Sequence, residues 1–351
     1  MYYTNISSII LNWYDQNKRN LPWRLSQDPY KIWLSEVMLQ QTRVETVIPY
    51  YENWLNHHPT LGSVVDAELD SLLKIWEGLG YYSRCRNFYS AVKKVQKEYG
   101  GVIPDDFVAF RSLPGVGEYI AGAVMSIAFE KPFVALDGNL SRVMFRILGI
   151  KRKSNRNKGR VKKHLTELVG ITRPGDINQA LMDLGSSLCR SKVAECAQCP
   201  LNISCKAFQS GNSLGYPEKT SVKQIPVKKI AAALFENENK ILISKRPEQG
   251  LLGGLWELPN AEIGYGKSPE ESLSANLHKQ FGFEVKVGNN MGKINHAFTH
   301  FKMNVSLYRC SLGNTSISEP KAKWVSKAEL QHYAFSKANH KLFGLMTKKN
   351  V

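Results

Sequence analysis

Four cysteines fall within seventeen residues, Cys189, Cys196, Cys199 and Cys205, in the order C-x6-C-x2-C-x5-C with Pro200 behind the third. Thiolates this crowded call for a soft metal centre, either zinc or an iron–sulfur cluster. Structural zinc usually takes two tight cysteine pairs; here one pair is tight and the flanking spacings are long, which suits a cubane wrapped by a loop. Two carboxylates also stand where chemistry is possible. On a helix over 30–41, Glu36 has Ile32 and Trp33 one turn before it and Leu39 and Gln40 one turn after, with no Lys or Arg among them. A carboxyl on such a stripe should have a raised pKa, as a general acid needs near neutral pH. The other reading is a glutamate that caps or pairs elsewhere in the fold. Asp137 precedes Gly138-Asn139-Leu140-Ser141-Arg142. There it serves as a helix N-cap, as a carboxylate held ionised and fixed beside a cationic intermediate, or as both.

Between these acids lies Leu113-Pro114-Gly115-Val116-Gly117-Glu118-Tyr119-Ile120-Ala121-Gly122-Ala123. Gly115 and Gly117 permit positive φ in a tight turn and expose backbone N–H groups at the start of the next helix, which suits a phosphate grip that reads no base. A plain helix–turn–helix connection is the simpler reading. Ala121, Gly122 and Ala123 should let a partner helix approach closely. Cys85 and Cys310 stand alone and read as ordinary residues.

The elements that must position these groups divide the chain. Asp28-Pro29 is a good N-cap and N1 pair for the helix over 30–41. Further helical patterns fall at about 66–79, 86–99, 105–112, 118–129, 139–148, 158–170 and 176–188, with no convincing strand before residue 208. The stretch 151–163 is densely basic, either a solvated loop and helix start or a direct phosphate contact. A Gly/Ser/Pro-rich linker over 209–226 separates this helical region, 1–208, from a second domain over 227–351. In the second domain, strands are expected at 229–235, 240–244, 255–258 and 301–308. Helices are expected at 269–281 and about 326–342, which together make an α+β domain.

With 351 residues, 47 Lys+Arg against 30 Asp+Glu and a net charge of +17, the chain favours a polyanionic partner, nucleic acid before anionic membrane. The blander reading is that the charge only keeps the protein soluble. No apolar run approaches the roughly 18–20 residues that span a bilayer, so no membrane association is expected. The N-terminus reads as neither signal nor transit peptide. The cysteine pattern is not a secreted disulfide framework, and a reducing, cytoplasmic and nucleoid-associated location is expected.

These motifs resemble a known family. The cysteine spacing is similar to the 4Fe–4S loop of the endonuclease III/MutY superfamily, and 113–123 followed by Asp137 resembles its helix-hairpin-helix and catalytic acid. Trp23-Arg24 and the run from Pro29 through Glu36 to Leu39-Gln40-Gln41-Thr42 look closely like the MutY-type adenine DNA glycosylases. Bifunctional members place a lysine nucleophile where Tyr119 stands. A phenol cannot form a Schiff base, so the resemblance implies a monofunctional enzyme. It implies that Glu36 protonates adenine N7 and that Asp137 stabilises the sugar cation, with Tyr119 and Asn139 near the sugar. Arg24 and Gln179 would line the adenine pocket. Gln41, Thr42 and Tyr81, with Gly115 and Gly117, would contact DNA.

Gln249 to Pro259 resembles the start of the family's Nudix-like C-terminal domain. The stretch 276–282 lacks the carboxylates a Nudix hydrolase needs for Mg²⁺. Phe298-Thr299-His300 stands where the family usually shows Phe-Ser-His, and the threonine keeps a hydroxyl to read the oxidised base. The whole resemblance implies an all-α helix-hairpin-helix region, its hairpin at about 105–130 and its iron–sulfur loop at 189–205, plus an α+β Nudix-like domain. The implied partner is double-stranded DNA with adenine opposite 8-oxoguanine or guanine, bound by a monomer. The competing readings are a glycosylase for thymine or oxidised pyrimidines, an inactive iron–sulfur DNA-binding scaffold, and a free-nucleotide hydrolase. Glu36, Asp137 and the missing Nudix acids weigh against them.

Overall fold

A computed structural model describes residues 2–218, 225–282, 284–298, 300–313 and 321–346. The chain forms two compact units, one of residues 1–66 and 87–221, the other of 67–86 and 222–351. The segment 67–86, which lies inside the helical half of the sequence, packs with the C-terminal residues.

The helices before residue 210 are α1 (Tyr2–Asn17), α2 (Pro29–Leu39), α3 (Val44–His57), α4 (Leu61–Val65), α5 (Leu69–Ile75), α6 (Ser83–Tyr99), α7 (Phe107–Arg111), α8 (Glu118–Ile127), α9 (Gly138–Ile147), α10 (Asn155–Val169), α11 (Pro174–Ser186) and α12 (Lys206–Gln209). Helix α2 starts as its sequence requires: the Asp28 side chain accepts from Tyr30 N at 2.9 Å, and Pro29 takes the first helical position. Eight of its eleven residues are buried, so the hydrophobic stripe is nearly a full cylinder and Glu36 has no solvent face. Trp33 packs edge-on against Phe88 and Phe110, with ring centroids 4.8 and 5.1 Å apart. A second core joins Ile10 and Tyr14 of α1 to Leu140, Phe145, Leu165, Leu181 and Leu184 from α9, α10 and α11.

The second unit carries a seven-stranded sheet of order β3-β2-β1-β6-β5, with β4 on β1 and β7 on β2. The strands are β1 (Val227–Asn237), β2 (Lys240–Lys245), β3 (Trp256–Glu257), β4 (Asn260–Glu262), β5 (Val285–Ala297), β6 (Lys302–Leu312) and β7 (Ala322–Ser326). Successive residues of β1 go to opposite faces, as the strand period of two dictates. Ala231, Ala233 and Phe235 meet Leu273 and Leu277 of α13 (Pro269–Phe281), while Ala232 and Leu234 meet Leu342 of α14 (Lys337–Met346). Helix α13 carries a Ser268–Glu271 capping box and ends on Gly282 in the left-handed region, so its expected limits hold.

The expected helix at 326–342 is not one element. Strand β7, a 3-10 turn at Glu329–His332 and α14 replace it, because Trp324 and Val325 complete the sheet beside β2. Strand β5 has no counterpart among the expected elements; its burial pattern is largely exposed, and the ladder with β6 holds it.

Candidate functional site

Glu36 sits on α2 against Tyr119 in the first turn of α8. The Tyr119 hydroxyl donates to Glu36 Oε2 at 2.6 Å, and Glu36 is 4% exposed. Burial pushes its carboxyl up to about 7; the Tyr119 hydrogen bond and the Arg24 charge pull the other way, and the Asp137 charge adds to the rise. A carboxyl that titrates near 7 can donate a proton at physiological pH and take one back. The Tyr119 phenol is raised well above its ordinary value by burial and by Glu36, so it acts as a neutral donor.

Asp137 caps α9, accepting from Leu140 N at 2.6 Å. Its pKa nevertheless moves up. Burial outweighs the N–H groups of Leu140 and Asn139, the Arg142 charge and the Asn139 side chain. Two features hold the segment leading to Asp137. A Cβ on Gly122 would lie 2.1 Å from Val134 O, so at this glycine α8 meets the backbone before Asp137 directly. Asn178, fully buried on α11, accepts from Ala135 N at 3.1 Å and donates to Phe133 O at 2.9 Å.

Arg24 and Gln179 are brought together, Nε donating to Oε1 at 2.8 Å. The same guanidinium reaches Asp183, 2.7 Å away and one turn along α11 from Gln179, and Asp183 also takes Arg19. Asp183 was not among the expected residues. Its i, i+4 relation to Gln179 was the available signal, and its long-range partners were not. Asn139 accepts from Arg142 Nη2 at 2.9 Å.

In the hairpin only Gly115 uses the left-handed region, at φ +75°. Gly117 is extended and serves as the N-cap of α8. Gln41, exposed just past α2, and Tyr81 are two of the six described non-glycine residues with left-handed φ, at 56° and 47°. Such strain costs free energy and concentrates at functional positions. Thr42 lies beside Gln41, its hydroxyl donating to Gln40 O at 3.3 Å. Tyr81 belongs to the other unit, with Phe298 and His300. There Phe298 N donates to Phe301 O at 2.8 Å and closes the β5–β6 turn, leaving His300 exposed at its tip. Thr299 lies outside the described residues. On α13, Asn276, Gln280 and Phe281 face a large cavity of this unit.

Cys189, Cys196, Cys199 and Cys205 line one recess with Arg146, Leu188 and Phe208. Among the described residues no three metal-binding side chains converge on a point that could hold one ion. The surroundings suit a thiolate-bound centre. Arg146 Nη1 donates to Cys189 Sγ at 3.2 Å, and N–H groups of Leu201, Ala207 and Phe208 face Cys199 and Cys205. Burial pushes the Cys199 thiol up to about 12, so a bound cation would have to supply the charge that ionises it. The residues fit an iron–sulfur cluster.

Comparison with known proteins accounts for this arrangement. Residues 34–170 match the HhH-GPD superfamily of base excision DNA repair proteins, and 230–345 match a NUDIX domain. The solved structure of a thermostable thymine-DNA glycosylase is similar, with TM-score 0.55 and 26% identity over 59% of this chain and 97% of that one. A trapped endonuclease III–DNA intermediate shares the fold, at TM-score 0.51 and 21% identity over 60% and 98%. The class is thus a helix-hairpin-helix repair protein with a Nudix-like C-terminal domain. An adenine DNA glycosylase of Rattus norvegicus is 34% identical over 95% of this chain and 76% of its own length, and one of Buchnera aphidicola subsp. Acyrthosiphon pisum is 32% identical over 98% of both. The chain belongs to the adenine DNA glycosylase family.

Proposed function

We propose that this protein removes adenine mispaired with 8-oxoguanine or guanine in duplex DNA, hydrolysing the N-glycosidic bond without cleaving the strand. The observation that carries the reading is Glu36: buried, poised near neutrality, and bonded to a tyrosine where a lyase has lysine. The adenine is flipped out of the stack and enters beside Arg24 and Gln179. Glu36 gives its proton to N7, the C1′–N9 bond breaks, and its electrons leave with the base. Asp137 stabilises the cationic sugar, and Asn139 helps hold that carboxylate, to which its backbone and side chain both donate. Water then adds to C1′ and returns a proton to Glu36.

Gln41, Thr42 and Tyr81 contact the gap in the duplex, while Gly115 and Gly117 hold a backbone phosphate. Phe298, Thr299 and His300 read the base opposite the adenine. The four cysteines would hold a 4Fe–4S cluster, which when bound would cross-link the 189–205 loop. The protein works as a monomer in the cytoplasm, on the nucleoid; among the described residues no helix is long and apolar enough to cross a membrane.

The test is incubation with duplexes carrying adenine opposite 8-oxoguanine, guanine or thymine, each split into samples with and without alkali. Strand breaks should appear only after alkali and only with the first two. Breaks without alkali, or excision opposite thymine at an equal rate, would overturn the reading.

A further inference from the structure

The basic stretch 151–163 is left unused by the catalytic reading. It contains eight Lys and Arg and no Asp or Glu. Ser154 caps α10, and Val161, Leu165, Leu168 and Val169 bury one face of the helix in the core of the first unit. Five of the eight cations, Arg156, Lys158, Arg160, Lys162 and Lys163, are thus carried on a fixed element. Lys151, Arg152, Lys153, Arg156, Lys158, Arg160, Lys162 and Lys163 are all exposed. Among the described residues only Lys162 of these has a carboxylate within ion-pair distance.

This arrangement is unfavourable for the isolated protein. Arg156 and Arg160, and Lys158 and Lys162, are like charges one turn apart, and the first turn of α10 has cations but no acid. Cations there oppose the helix macrodipole. A bound polyanion relieves both penalties.

The one ion pair says where that polyanion lies. Lys162 Nζ is 3.3 Å from Glu118, the residue directly after Gly117 in the hairpin turn, and Arg111 reaches the same carboxylate at 3.8 Å. The two cations offset the negative charge beside the phosphate-gripping turn, and Lys162, one helical turn from Lys158, borders that turn. We propose that α10 and residues 151–154 form a second phosphate-binding face, continuous with the hairpin, that holds the backbone of duplex DNA beyond the nucleotides of the mispair. This rests on the reading that the chain binds duplex DNA.

The experiment measures affinity of the full-length protein for an undamaged duplex over a range of salt, so it stays readable even if adenine is not the excised base. The variant is Arg156→Gln, Lys158→Gln and Arg160→Gln. Its control removes three exposed cations of the second unit, Lys240→Gln, Lys279→Gln and Lys286→Gln. For every phosphate a protein ceases to neutralise, the slope of log affinity against log salt falls by about 0.9. The α10 variant should lose about two to three units of slope and at least about tenfold in low-salt affinity. The control should keep its slope, and the α10 variant should melt no lower than the wild type, since it loses like-charge repulsion and an unfavourable helix-dipole interaction. An unchanged slope in the α10 variant overturns the proposal, as does an equal loss in the control, which would reduce the effect to net charge.

Discussion

The Tyr119 hydroxyl donates to Glu36 Oε2 at 2.6 Å across 83 residues of sequence, and it is a force holding the Glu36 pKa down against burial. With Glu36 as the proposed general acid, the excision rate should fall as pH rises through about 7. In Tyr119→Phe the restraining bond is gone, Glu36 stays protonated to higher pH, and the alkaline fall should move upward. Single-turnover rates from pH 5 to 9 check this. A fall that moves to lower pH would show that the phenol acts in some other way.

Glu36→Gln should keep DNA binding and lose at least about a hundredfold in excision, since general acid catalysis is worth roughly 10²–10⁴. It should also change stability in one pH window. A carboxyl raised from 4.5 to about 7 is protonated in folded and unfolded chains alike below 4.5, and there it costs nothing. Between 4.5 and 7 folding must take up a proton. Above 7 the full penalty applies, on the order of 3 kcal/mol from about 1.4 kcal/mol per pKa unit. The glutamine variant should therefore melt with the wild type near pH 4.5 and above it at pH 8. Equal melting temperatures at both pH values would mean that Glu36 is not buried as an acid.

Gly122 is one of the two holds on the backbone before Asp137. An alanine there forces its Cβ to 2.1 Å from Val134 O, a backbone atom that can yield only if the segment shifts. Overpacking of this kind costs roughly 1–3 kcal/mol. Gly122→Ala should lower the melting temperature and depress excision more than affinity for undamaged DNA, because Asp137 moves and the hairpin does not. Rates and affinities that fall together would place the strain elsewhere.

What the sequence made legible were features written in short windows. The Asp28-Pro29 start of α2, the Ser268 box of α13 and the hairpin glycines announce themselves by residue type at fixed spacing, because capping is a local hydrogen-bonding demand. The apolar neighbours of Glu36 predicted burial for the same reason. Asn178 and Asp183 escaped, since their partners Ala135 and Arg24 lie far away in sequence and no window of periodicity joins them. The left-handed φ of Gln41 and Tyr81 was equally invisible: neither residue type favours it, so the surrounding fold must impose it. Strand β5 lacks an apolar run because it is held by its ladder with β6.

The recess lined by the four cysteines predicts about four irons per chain, since a 4Fe–4S cubane is held by four thiolates. Anaerobically purified protein should be brown, and Cys199→Ala should lose the colour and melt at a lower temperature. Stoichiometric zinc without iron would replace the cluster with a different centre. Glu36 lies outside the cysteine loop, so any residual excision by iron-poor protein should keep its fall near pH 7.

The turn between β5 and β6 carries Phe298 stacked on Phe301, ring centroids 4.8 Å apart, with His300 exposed beside them. If Thr299 and His300 read the oxidised base, their contacts form only when 8-oxoguanine stands opposite the adenine. A good polar contact to a base edge discriminates by roughly 1–3 kcal/mol. Thr299→Ala with His300→Ala should therefore weaken binding to the 8-oxoguanine duplex by about one to two powers of ten. Binding to adenine opposite guanine should weaken far less, because guanine offers neither the N7–H donor nor the added carbonyl. Excision of an adenine already bound should stay near normal, since Glu36 and Asp137 belong to the other unit. Measuring the two affinities and the single-turnover rate separates these effects. Equal losses on both duplexes would make the turn a general DNA contact, and an unchanged preference would transfer recognition of the opposite base to Gln41 and Tyr81.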